Sequence, residues 1–124
     1  LTESAGTTGV LKITDFVAGT DKIHLEVDNT TGTNVAGTSI TLATAQTIAT
    51  AADLTAVYAG IAAIGASTAG GALSGVVLNV TAGAAAGTYL YINDATASVS
   101  NTADMLINLT GISGTLSASD FLFA

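Results

Sequence analysis

The sequence predicts a mainly β domain, a short-stranded β-roll or sandwich with one α-helix over about residues 51–65 packed on the core. Three observations predict it. Short runs rich in Val, Ile, Leu and Tyr recur between turns rich in Gly, Asn and Ser. One such run, KIHLEV at 22–27, sets Ile23, Leu25 and Val27 on one face and Lys22, His24 and Glu26 on the other, the period of a half-exposed strand. Only one stretch carries the helical period. The 124 residues show no shift of composition, so residues 1–124 read as a single domain.

In chain order, VLKI (10–13) reads as a short strand, TDFVAGTD (14–21) as a turn and KIHLEV as the second strand. DNTTGTNVAGT (28–38) supplies Asn and Gly for a loop, and SITLAT (39–44) reads as another short strand. In 51–65, Leu54, Val57, Tyr58, Ile61 and Ile64 form one apolar stripe. Thr50 with Asp53 three residues later makes a capping-box pattern, and Gly65 is placed to end the helix in a left-handed turn. Gly60 costs the helix roughly 1 kcal/mol relative to Ala, a cost that close packing of a sheet would explain. ASTAGGALSG (66–75) reads as a flexible link. VVLNV (76–80), TYLYIN (88–93), MLINL (105–109) and DFLF (120–123) complete the strands.

Composition excludes several function classes. Nine acids stand against Lys12 and Lys22, a net charge of −7, so neither nucleic acid nor an anionic membrane surface is an expected partner. A divalent cation is the natural counter-charge. The longest nearly apolar run, AVYAGIAAIGA (56–66), is interrupted by two glycines and is too short for membrane insertion. Without cysteine there are no disulfides, thiolate metal sites or thiol nucleophiles. No nucleophile elbow, zinc-protease helix or phosphate loop is present, and the lone His24 has no catalytic partners, so an enzyme is not expected. LTESAGTTG at the start is no signal peptide and lacks an initiator Met, so the chain reads as a piece of a longer protein. The N-x-T triplets at Asn29, Asn79 and Asn108 are what chance gives in so Thr-rich a chain.

Asp15, Asp21, Asp94 and Asp104 are acids in or beside the predicted turns, and their oxygens are the donor type that a hard divalent cation takes. Each also has an ordinary role open to it, since Asp in turns accepts hydrogen bonds from nearby backbone N–H groups. Tyr89 and Tyr91 share a strand face, for sheet packing or an interface. The sequence closes on Asp120, Phe121, Leu122, Phe123 and Ala124, one acid before a bare apolar tail. That tail fits a last strand of the core, and it also fits a segment that something else recognises. The two uses are compatible if the tail is read unfolded and buried afterwards.

Two stretches resemble a known family. ITDFVAGTDKIHL (13–25) resembles the motif that ends calcium-binding β-rolls in type I secreted bacterial proteins, among them serralysin-like proteases, lipases, RTX toxins and some S-layer proteins. Asp15, Phe16, Gly19, Asp21, Ile23 and Leu25 match the pattern I-x-D-F-x-x-G-x-D-x-I-D-L, with His24 where the family places an acid. GTYLYINDATASVSNTADMLINLTGISGTLSASDFLFA (87–124) resembles the family's C-terminal segment through Asp94, Asp104, Leu109, Gly111, Leu116, Asp120 and Phe121. The family's calcium repeat is absent, and GGALSGVVL (70–78) keeps its apolar spacing without the carboxylate.

The resemblance implies calcium as the cofactor, with Asp15, Asp21, Asp94 and Asp104 as its candidate ligands, and a non-catalytic C-terminal module with an uncleaved secretion signal at Asp120–Ala124. A type I ABC-transporter complex would read that signal, and the domain would fold outside the cell, secreted or on the bacterial cell surface. The Thr-, Ala- and Gly-rich, Cys-free composition points to an S-layer or surface-protein parent. Two alternatives stay open: a calcium-dependent self-assembly domain of a surface lattice, and the C-terminal tail of a secreted hydrolase.

Overall fold

The computed structural model describes residues 10–25, 39–65, 74–93, 98–101 and 104–123. Its elements in chain order are β1 (Leu11–Lys12), β2 (Ile23–Leu25), β3 (Thr41–Leu42), β4 (Gln46–Ile48), α1 (Leu54–Ala63), β5 (Ser74–Val80), β6 (Gly87–Asn93), β7 (Met105–Asn108) and β8 (Phe121–Phe123). Among the described residues the architecture is mainly β with a single α-helix on the core, as the apolar patterning predicts. The expected loop at 28–38, and most of the expected link before β5, lie outside the described residues.

β5, β6 and β7 form an antiparallel meander, with β1 added parallel to β7. The far edge of β5 is shared by two parallel strands, β3 along its first half and β4 along its second. A separate two-stranded ribbon pairs β2 with β8, also parallel. The six-stranded sheet is therefore covered on both faces. On one face α1 contributes Val57, Tyr58 and Ile61 to a cluster with Val76, Leu78, Val80, Tyr89, Tyr91 and Leu106. On the other, Phe16, Ile23, Leu25 and Phe121 pack with Leu90, Ile92, Ile107 and Leu109. Residues 89–93 of β6 are buried without interruption, as a strand sandwiched on both faces requires.

The helix is shorter at both ends than its expected 51–65, and its cap is not Thr50. Asp53 is the N-cap, accepting from Ala56 N at 2.9 Å. The reason is tertiary: Ala51 N donates to Ala82 O and Ala51 O accepts from Ala85 N, which holds residue 51 in the loop beyond β5. Gly65 follows with φ +64°. Gly60 is where β4 crosses the helix, since a Cβ there would stand 2.8 Å from Ile48 Cδ1. β4 itself has no counterpart among the expected strands. Its residues Gln46 and Thr47 are exposed and only Ile48 is buried, so it carries no apolar alternation. β5 begins at Ser74, inside the expected link, because Gly75 lets Ile40 and Leu42 close over it.

One core side chain is incompletely satisfied. The Tyr58 hydroxyl is buried and finds no hydrogen-bond partner among the described residues. Burial and the charge of Asp104 together push its pKa up to about 12. Tyr58→Phe is therefore expected to stabilise the domain by about 1 kcal/mol, by removing a desolvated hydroxyl and keeping the ring. The unfolded chain ionises this phenol near 10 and the folded chain near 12, so wild-type stability falls as pH rises between those values. Chemical denaturation at pH 7 and across the alkaline limb checks both effects; the variant should lose the alkaline slope due to this group.

Candidate functional site

The terminal segment and the turn at 14–21 meet in one interlocked unit. The turn is drawn tight at its base: Thr20 N and Asp21 N both donate to Val17 O, at 3.0 and 2.9 Å. Asp21 Oδ2 accepts from Val17 N at 2.8 Å. Its apex is Gly19, at φ +85°, a backbone conformation that costs most L-residues on the order of 1–2 kcal/mol. That conformation directs the Gly19 N–H out of the turn and onto Asp120 Oδ1, at 2.8 Å.

The turn runs beside the 109–118 segment. Ser113 N donates to Phe16 O and Ala18 N to Ser113 O, at 3.0 and 2.9 Å, so Val17 and Ser113 form a parallel bridge. The chain then enters a 3-10 turn, Ala118–Asp120, that delivers Asp120 inward. Asp120 is wholly inaccessible to solvent. Its Oδ2 accepts from Ser117 N at 2.8 Å and from Ser117 Oγ at 3.0 Å. Lys22 lies over it, Nζ 3.7 Å from Oδ1 and donating to Ser119 O at 2.8 Å. Desolvation alone would raise the carboxyl pKa; the bonds from Ser117 N, Gly19 N and Ser117 Oγ, with the Lys22 charge, outweigh it and hold the group below the usual carboxylate range.

Beyond Asp120 the tail becomes β8, with Phe121, Leu122 and Phe123 opposite Ile23, His24 and Leu25. The alternation is clear: Phe121 is buried, Leu122 is 51% exposed and Phe123 is half-buried against the second core. Ala124 lies outside the described residues. The ribbon has no further strand on either outer edge among the described residues.

The four candidate calcium ligands are dispersed in character. Asp15 is exposed, and Asp21 is exposed with its carboxylate closing its own turn. Asp94 lies outside the described residues. Asp104 is buried, its Oδ2 receiving the Tyr91 hydroxyl and Ser100 N, both at 2.6 Å. The Tyr91 hydroxyl also lies 3.0 Å from Asn93 Oδ1. No group of three or more His, Cys, Asp or Glu side chains comes together among the described residues. His24 is solvent-facing on β2. Tyr89 and Tyr91 are both buried under the helix side of the sheet, where Tyr89 donates to Ala85 O at 2.9 Å.

An open cleft of about 520 Å³ lies between residues 42–45 and 112–116, floored by Val77, Asn79 and Thr88. None of its lining side chains is ionisable. No described helix is long and apolar enough to cross a membrane.

Sequence reasoning singled out Gly19 and Asp120 separately but missed that they bond each other; it left Ser117 unnamed and read Lys22 only as an exposed charge on the predicted strand 22–27. The signal that could have found Ser117 is local, the S-x-x-D spacing of a capping box. No protein-family model, curated protein or solved structure matches the chain.

Proposed function

We propose that residues 1–124 are a non-catalytic C-terminal module of a larger exported bacterial protein, carrying its type I secretion signal at Asp120–Ala124. The ABC-transporter complex reads this segment in the unfolded chain, and the module folds outside the cell as part of an S-layer or other surface protein. The observation that carries this reading is a pair of residue patterns, ITDFVAGTDKIHL at 13–25 and, at 120–124, an acid followed by four apolar residues. The structure adds support of a different kind. The two resembling stretches are laid side by side, and a pattern residue of one, Gly19, bonds a pattern residue of the other, Asp120.

The test is export of a neutral passenger fused ahead of residues 1–124, beside the same fusion lacking Asp120–Ala124. The intact fusion is expected in the medium and the truncated one inside the cell. Retention of both by a cognate transporter overturns the reading.

A second reading, a calcium-dependent lattice domain, is favoured by one specific feature. Leu122 and His24 stand exposed and paired on a ribbon with open edges among the described residues, and such edges recruit strands from other chains. Calcium would supply the counter-charge for a chain of net charge −7, with exposed Asp15 and Asp21 as accessible ligands. Light scattering should then show oligomers that appear with calcium and dissolve with chelator; a monomer in both conditions removes this reading.

A further inference from the structure

We propose that the 14–21 turn is a latch that conceals the terminal segment, so that folding of the domain and reading of its address exclude each other. The inference rests on the address reading above and adds the device that controls it.

The geometry is specific. The single carboxylate of the terminal segment is fully buried, and one of its oxygens is held by a backbone N–H at the apex of a turn 101 residues earlier in the chain. Phe121, the next residue of the proposed address, is 5% exposed. Its strand is paired along its whole described length with β2, the strand that follows the turn. Lys22, between turn and strand, reaches back across the segment to Ser119 O. A receptor recognising Asp120 and Phe121 would meet neither side chain in the folded domain. Among the described residues 120–123, only Leu122 is exposed.

Control of the tail therefore sits outside the tail. Gly19 adopts φ +85° with nothing within 4 Å of where a Cβ would be placed, so an alanine there meets no clash and acts through backbone conformation alone. Gly65 offers a matched control. It too has a positive φ, +64°, and open space around it, but it ends the helix on the opposite face of the sheet.

The experiment compares wild-type residues 1–124 with Gly19→Ala and Gly65→Ala. Amide hydrogen exchange at 121–123 is followed, together with binding to the cognate transporter of each folded protein and of a synthetic peptide spanning 117–124. Gly19→Ala is expected to speed exchange of the tail amides about tenfold while the α1 amides stay protected. Gly65→Ala should leave the tail amides as slow as in wild type. The peptide should bind, the folded wild-type domain should not, and Gly19→Ala should recover binding in proportion to its opening. Should Gly19→Ala fail to fold, Lys22→Ala, which removes the weaker contacts to Asp120 and Ser119 O from the surface side, takes its place in the same comparison, with the tail amides expected to exchange about twofold faster. Unchanged tail exchange in a folded Gly19→Ala protein overturns the latch. So does binding of the folded wild type as tightly as the peptide. A peptide that does not bind refutes the address reading instead, and the exchange comparison still decides whether the latch exists.

Discussion

Asp120→Asn is expected to destabilise the domain by about 3 kcal/mol at neutral pH, lowering its melting temperature on the order of 10 °C. The substitution is nearly isosteric, so no cavity enters. Asp120 receives three donors, Gly19 N on one oxygen and Ser117 N and Oγ on the other. An amide has one oxygen. Whichever way it is turned, its NH₂ faces at least one N–H that it cannot accept from, and that group is left buried without a partner. An unsatisfied buried donor costs about 1–3 kcal/mol, and each bond to a charged acceptor that becomes neutral loses roughly half its strength. Lys22 adds little to this balance. At 3.7 Å and 36% exposed, it makes a screened ion pair worth about 0.5 kcal/mol. Lys22→Met should accordingly cost far less than Asp120→Asn, and that ranking is part of the prediction.

The pH dependence follows from the same bonds. The folded-state pKa of Asp120 is depressed below its ordinary 3.8, so the unfolded chain takes up the proton first as the solution is acidified. Its contribution is fully present above the unfolded value and is lost as pH falls through the folded one, that is, below about pH 4. Asn cannot titrate. Urea denaturation at pH 7 and at steps below pH 4 should show the two proteins converging as the medium becomes acid. Parallel curves, with the variant weaker by the same amount at every pH, would mean that ionised Asp120 is not the source of the difference.

Much of this fold is legible in the sequence because apolar alternation is written locally. Ile23 and Leu25 are buried on either side of exposed His24, and the helix stripe of Val57, Tyr58 and Ile61 is the face that meets the sheet. What is not legible depends on partners far away in the chain. β4 exists because β5 offers it a parallel edge, and two of its three residues face solvent, so no period marks it. The helix starts late because residue 51 is held by residues 82 and 85. The terminal unit shows the same division. That Asp120 and Gly19 each matter can be read from their patterns, whereas the bond between them spans 101 residues and becomes visible only when β2 and β8 are laid parallel.

Within β8 itself two neighbouring apolar residues allow the proposed recognition to be tested apart from stability. Phe121→Ala should cost about 3–5 kcal/mol, since a ring 5% exposed leaves a cavity in the cluster it shares with Phe16, Ile23 and Leu116, which a short two-stranded ribbon has little means to close. Leu122→Ser should cost within about 0.5 kcal/mol, because that side chain is 51% exposed and its backbone pairing with His24 is kept. A cost comparable to that of Phe121→Ala would contradict the described strand register, since a one-residue slip exchanges the buried and exposed faces. Export supplies the second readout. A transporter that reads the apolar character of the unfolded tail should be sensitive to both substitutions, whatever they do to the folded state. Loss of export in Leu122→Ser at unchanged stability would locate recognition in the tail sequence. Loss only in Phe121→Ala would track folding outside the cell instead, and would leave the tail as a strand of the core with no second use.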